Sequence, residues 1–256
     1  MTELDPLNDE LDQWNFEGEE ATLWWRDDDA QQDTPALAKV VELSKRFDIP
    51  LSLAVIPDGI ESSLIEAIGD NALVSVLLHG FSHTNYAGIN EKKQELGAHR
   101  DITDICSQLD LGIKILQQAF GQQFVPVLVP PWDRIAPEVV DALPQRGLMG
   151  LSTYCARELP EPVEGVWQIN THADIINWKQ ERTFLGQKQV VDQLVDHLCG
   201  RRLGKYDRAE PTGLLTHHLV HDEPGWMFLE ALFATLDEHP AVTWLSAERV
   251  FQTRWR

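Results

Sequence analysis

Residues 21–30 read Ala-Thr-Leu-Trp-Trp-Arg-Asp-Asp-Asp-Ala, an apolar run that breaks into three consecutive carboxylates. The run over 21–26 has the length and the side chains of a strand covered on both faces. Three adjacent carboxylates at a strand end repel one another unless a cation or protons intervene. Taken alone, an Asp run is equally the mark of an exposed turn. If the strand persists, Arg26 and Asp28 share one face and Asp27 and Asp29 the other, and twist at the strand end can still bring Asp28 and Asp29 to one site.

Outward from this stretch the same pattern repeats. Short apolar runs at 51–56, 73–78, 125–129, 148–152, 166–169 and 213–220 read as further buried strands. Between them lie helical periodicities: 35–47, opened by Thr34-Pro35, then about 104–120, one opened near Pro137, 187–199 and 224–238. No fixed-period repeat or long Gly/Ser linker divides the chain, so the expectation is one domain over 21–256. Repeated βα units with buried strands give an α/β fold, either a closed or nearly closed parallel barrel or a doubly wound open sheet. The reactive residues fall at or just beyond the C-terminal ends of different strands, where barrel enzymes gather their sites, and this favours a barrel.

The 256 residues carry 41 acidic and 21 basic side chains, a formal charge of −20. Such a chain is repelled by nucleic acid and by anionic bilayers, so neither is expected as a partner. Residues 1–29 hold eleven Asp or Glu and one basic residue, Arg26, and the segment 1–20 reads as a solvated acidic extension. Cys106, Cys155 and Cys199 have no metal-type spacing and suggest no disulfide frame. With no secretory pattern at the start and no run near the ~18 apolar residues of a membrane span, the expectation is a soluble, cytoplasmic protein.

The third strand runs into Leu-Leu-His-Gly-Phe-Ser-His, placing His79 and His83 four residues apart. Were this segment helical, the two imidazoles would lie about 40° apart on one face, as two ligands of one ion can. A carboxylate from the first strand would complete an Asp/His/His set with positions left for water and substrate. One carboxylate and two imidazoles suit a borderline divalent metal, with zinc the expected ion. The last strand carries Leu-Leu-Thr-His-His-Leu-Val-His, and alternation puts His217 on the face of Leu215 and His218 on the other. An imidazole beside a metal suits proton delivery, its ordinary pKa of about 6.5 lying near working pH. Two prolines and a Trp stiffen the exit of the fourth strand at Val129-Pro130-Pro131-Trp132, and Asp174 and Trp178 follow the sixth. An aromatic at such a place can stack on a sugar or close the core.

These pieces, in this order, resemble the polysaccharide deacetylase family, the NodB-homology domain of carbohydrate esterase family 4. Arg26-Asp27-Asp28-Asp29-Ala30 is similar to the family's Thr-Phe-Asp-Asp-Gly, and Thr34-Pro35 to the Thr-Pro that opens its first helix. His79 and His83 match His-x-x-x-His. Val129 to Asp133 stands at Arg-Pro-Pro-Tyr-Gly, Asp174 to Trp178 at Asp-x-x-Asp-Trp, and Leu215-Thr216-His217 at Leu-x-His.

The resemblance implies a distorted (β/α) barrel of about seven parallel strands and metal-dependent removal of an N-acetyl group from an amino sugar or short oligosaccharide. It implies that Asp29, His79 and His83 hold the metal, that Asp28 is general base and His217 general acid, and that Asp174 orients the histidine. Pro131, Trp132 and Trp178 would contact substrate. The motif's Arg, which holds the base, is Val129 here; Arg26, on the face of Asp28, is the first candidate to replace it and Arg134 the second. Two competing readings are a metal hydrolase of a non-sugar amide, such as a ureide or cyclic amide, and a non-catalytic binding relative.

Overall fold

Strand β1 (Ala21–Ala30) is the centre of the molecule in the computed structural model, which describes residues 3–180 and 182–252. It follows helix α1 (Asp5–Phe16) and is followed by α2 (Pro35–Arg46), β2 (Leu51–Val55), α3 (Ser62–Ile68), β3 (Val74–His79), α4 (Ile102–Phe120) and β4 (Phe124–Val129). The second half runs α5 (Pro137–Ala142), β5 (Gly150–Leu151), β6 (Trp167–Gln168), β7 (Ala173–Asp174), β8 (Ile176–Asn177), β9 (Thr183–Phe184) and α6 (Gln187–Arg202). It ends with β10 (Thr212–Thr216), α7 (Glu223–Asp237), β11 (Val242–Trp244) and α8 (Ala247–Gln252).

Eight parallel strands form one path in the order β6-β5-β4-β3-β2-β1-β10-β7, and β11 adds to β1. This is the expected distorted (β/α) barrel, open as a half-barrel, with eight strands on the path where about seven were expected. The helix boundaries follow their punctuation. Thr34 caps α2 by accepting the Leu37 N–H at 3.0 Å, and Asp101 and Asp222 cap α4 and α7 in the same way. Among the described residues no helix is long and apolar enough to cross a membrane.

Alternation along the strands sorts two packed layers. Trp24, Ala54, Leu77, Val127 and Val129 pack on one side of the sheet with Ala247 and Phe251 of α8. Trp25, Leu23, Leu53, Val76 and Leu78 face the larger core that the other helices cover. Arg26 continues the face of Trp24, and Asp27 that of Trp25.

Three expectations are corrected here. The segment before Ala21 is not a solvated extension: Leu7, Leu11 and Trp14 of α1 are buried, and buried Glu10 takes Arg202 of α6 at 2.8 and 2.9 Å. The strand expected over 213–220 stops at Thr216 and gives way to a 3-10 turn, His218–Val220. The cause is Asp27, which accepts the Thr216 hydroxyl at 2.6 Å, the His218 N–H at 3.0 Å and His218 Nδ1, pulling the chain out of line at His217. Finally, the chain from His79 to His83 is not helical; Gly80 has φ +54 and its absent Cβ would lie 2.2 Å from Glu95 Oε2 and 2.6 Å from Pro131 Cγ.

Candidate active site

Asp28 and Asp29 both reach the open end of the half-barrel because β1 is irregular there. Asp27 pairs with Leu53 and Ala30 with Val55, so three steps on β1 oppose two on β2, and Asp29 takes φ +74. The extra residue of this bulge turns Asp29 to the side on which Asp28 already lies, which alternation forbids in a regular strand.

Asp29 meets the two histidines of the β3 exit. Its Oδ1 lies 3.1 Å from His79 Nε2 and 3.4 Å from His83 Nε2. Four ligands at zinc bond lengths of about 2.0–2.1 Å in a tetrahedron stand roughly 3.3 Å apart, so these donor atoms fit a divalent ion of that size. His79 Nδ1 faces the Val129 carbonyl at 3.0 Å, which places the ring's proton there and leaves Nε2 as the ligand. Burial opposes charge on His79, but its hydrogen bond to Asp29 and the charges of Asp28 and Asp29 outweigh that and raise it to about 9. His83 moves the other way, to about 4, because of burial and then the charge of His79. Asp29 is held below the usual carboxylate range by His79 against the effect of burial.

His83 is placed by a residue that no motif named. The buried Glu95 carboxylate accepts the backbone N–H groups of Phe81, Ser82 and His83 at 3.1, 2.8 and 3.2 Å, winding the chain so that His83 adopts φ +53. Seven described non-glycine residues have positive φ, and Asp29, His83, Trp132, Asp133 and Arg182 among them border this one cavity. Backbone strain of this kind gathers where side-chain placement matters more than stability.

Of the two arginines offered for the place of the motif's Arg, Arg26 is the one in contact with Asp28. Fully buried, it grips Asp28 with two bonds, Nε to Oδ1 at 2.8 Å and Nη2 to Oδ2 at 3.0 Å, and also reaches Ser152 and Asp133. Arg134 does not touch Asp28; it donates to the Lys93 carbonyl. Asp133 is a member of this group that the sequence reading missed, and burial pushes its carboxyl up against the pull of Arg26.

His217, not His218, enters the cavity. Its Nε2 lies 4.0 Å from Asp28 Oδ2, and its backbone N–H is held by His221 Nε2 at 3.3 Å. His218 is buried against Asp27 on the other side of the sheet. Asp174 is not hydrogen-bonded to His217: its Oδ2 accepts Trp178 Nε1 at 2.6 Å, and the Trp178 ring stands edge-on to His217 at 4.6 Å. Asp174 acts on His217 by charge and through that indole, not by a hydrogen bond. Trp132 packs on His83 at 4.4 Å and lines the cavity with Trp178. Pro131, expected to contact substrate, is buried against Gly80 and does not line it.

A second Asp/Glu/His group, His172, His197 and Glu210, is closed to such chemistry. His172 Nδ1 accepts the Gly213 N–H at 2.9 Å, so the proton of the neutral ring sits on Nε2, 3.5 Å from Glu210. The two rings are stacked at 3.3 Å and 15°, so their nitrogen lone pairs run side by side instead of converging.

No family model and no curated protein matches the chain by sequence. Solved structures do match. A protein from Mycobacterium smegmatis described as a polysaccharide deacetylase is 14% identical, with 91% of this chain and 90% of that one covered and a TM-score of 0.62. The peptidoglycan deacetylase PdaC from Bacillus subtilis, as a mutant, is 12% identical, with 91% of each chain covered and a TM-score of 0.56. A family 4 acetyl xylan esterase from Clostridium thermocellum, in complex with a cobalt ion, is 12% identical, with 90% of each covered and a TM-score of 0.52. The chain therefore has the NodB-like fold of the carbohydrate esterase family 4 deacetylases.

Proposed function

We propose that this chain is a metal-dependent amide hydrolase that removes an N-acetyl group from an amino sugar or short oligosaccharide. The observation that carries the reading is the meeting, at one cavity, of an Asp29/His79/His83 donor set at metal-ligand spacing with a separate carboxylate, Asp28, clamped by Arg26. A bound divalent ion, with zinc the first candidate, would polarise the amide carbonyl and make water acidic enough to attack near neutral pH.

The residues then divide the proton work. Asp28, its orientation fixed by the buried guanidinium, takes the proton from the attacking water. As the C–N bond breaks, His217 gives a proton to the departing amine, and the products are acetate and the free amino group. Trp178 and His221 hold the His217 ring and backbone for that transfer. Trp132 offers an apolar wall for a sugar ring. The Asp28–Arg26 pair supports catalysis over mere binding, because it holds a carboxylate in a fixed orientation beside the donor set, where a base would act.

The test joins elemental analysis of purified protein to acetate release from N-acetylglucosamine and its short β-linked oligomers. About one divalent ion per chain, activity lost to EDTA and restored by zinc or cobalt, supports the reading. A protein that neither binds a stoichiometric metal nor releases acetate overturns it.

A further inference from the structure

The cavity holds charge of both signs, arranged unevenly. Four of its lining carboxylates, Asp28, Asp29, Asp133 and Asp174, are satisfied: Arg26 takes Asp28 at 2.8 Å and Asp133 at 3.3 Å, His79 takes Asp29 at 3.1 Å, and Trp178 donates to Asp174 at 2.6 Å. The lining cations are Lys93, Arg134, Lys179 and Arg182. Among the described residues, Lys93, Arg134 and Lys179 have no carboxylate within ion-pair distance, although the chain has nearly two acidic side chains for each basic one.

The cations come from two segments. Lys93 and Arg134 are joined by the hydrogen bond of Arg134 Nη1 to the Lys93 carbonyl at 2.8 Å, and the Lys93 ammonium lies 5.8 Å from the centre of the Trp132 ring. Lys179 and Arg182 lie between the antiparallel strands β8 and β9, next to Trp178. Each pair thus accompanies one of the two cavity tryptophans. In a protein of charge −20, the long-range field opposes an anionic ligand, so Lys93, Arg134 and Lys179, lining one cavity without a carboxylate partner among the described residues, are a local reversal acting within a Debye length of roughly 8 Å. A cavity of about 970 Å³ accommodates a small molecule that carries both an acyl group and an anion.

Resting on the deacetylase reading above, we propose that Lys93, Arg134, Lys179 and Arg182 form a subsite for an anionic group, a carboxylate or a phosphate, carried by the N-acylated substrate. The acyl end enters toward Asp28 and Asp29, and the anion stays at the tryptophan-flanked mouth. The substrate class is then an acidic N-acyl metabolite instead of a neutral glycan.

Calorimetry on the whole 256-residue chain, metal-loaded, tests this with N-acetylglucosamine, its 6-phosphate, N-acetylmuramic acid and inorganic phosphate, each at about 20 and 300 mM NaCl. At least one acidic sugar should bind about tenfold more tightly than the neutral parent, and the preference should shrink in high salt. Comparing the two acidic sugars separates phosphate from carboxylate recognition, and inorganic phosphate alone reports how much the anion contributes without the sugar. Because anions also bind metals, the decisive comparison is Lys93→Ala with Arg134→Ala, and separately Lys179→Ala with Arg182→Ala. At least one pair should bring the preference to within about twofold, while Lys205→Ala, outside the cavity, should not. Equal binding of acidic and neutral sugars, a preference untouched by both pairs, or no binding of either acidic sugar at millimolar concentration overturns the subsite. Hydrolysis measured on the same sugars keeps the two readings apart. Tight, variant-sensitive binding without acetate release removes the deacetylase and leaves the subsite, whereas equal hydrolysis with equal binding does the reverse.

Discussion

Asp28 and Asp29 are neighbours in sequence with opposite surroundings: one is gripped by a guanidinium, the other faces two imidazoles. Their replacements should therefore fail differently. Asp29→Ala is expected to lose metal occupancy, whereas Asp28→Asn should keep the metal and slow turnover by about 10²–10⁴-fold. Metal content and acetate release measured on both proteins check this, and loss of metal from the Asp28 variant with retention in the Asp29 variant would reverse the assignment. The run of three carboxylates was legible as a site, and so was the preference for Asp28 and Asp29. The reason was not. Alternation separates those two side chains, and only the bulge, with Asp29 at φ +74, reunites them. Asp27, the member left over, holds the β10 exit through Thr216 and His218.

At the scale of elements, the βα order and most boundaries could be read from period and punctuation, because buried parallel strands and capped helices write themselves locally. What could not be read depends on contacts far apart in sequence. The acidic composition of residues 1–20 hides the apolar face of Leu7, Leu11 and Trp14, and α6, distant in sequence, supplies Arg202 to buried Glu10 beside it. Glu95 likewise sits in a loop with no motif around it, and its role exists only because the chain after β3 folds back over it. Replacing Glu95 by Ala frees three N–H groups around His83, so metal affinity should fall by about 10–100-fold. Competition with a chelating indicator measures it. An unchanged dissociation constant would mean that His83 is placed by something else.

Across the whole molecule, the buried histidines make stability depend on pH. Burial and then the charge of His172 push His197 down to about 2, and burial together with nearby arginines holds His172 well below its ordinary value. Both rings stay neutral in the folded protein while the unfolded chain takes up protons below about pH 6.5, so stability is present above that pH and is lost as it falls. Each such ring withdraws about 1.4 kcal/mol at pH 5.5. Glu210 opposes part of this, since burial raises its carboxyl to about 6 and the folded state holds that proton more tightly between about pH 4.5 and 6. Between pH 7.5 and 5.5, urea unfolding of His197→Gln should show a loss about 1.4 kcal/mol smaller than that of the parent protein. Equal losses in the two proteins would rule out His197 as a source.

The central strand also sets a timetable. β1 joins β2 after about 26 residues, but its other neighbours, β10 and β11, arrive about 190 and 220 residues later, the kind of distant pairing that makes folding slow. Asp29, His79 and His83 have all been synthesised by residue 83, while His217 comes near the end. A growing chain thus holds Asp29, His79 and His83 long before it has His217, and if those three bind an ion as proposed, early capture would favour the assembly of β1 and β3 on either side of β2. Refolding that runs at the same rate with and without zinc would show that capture comes last.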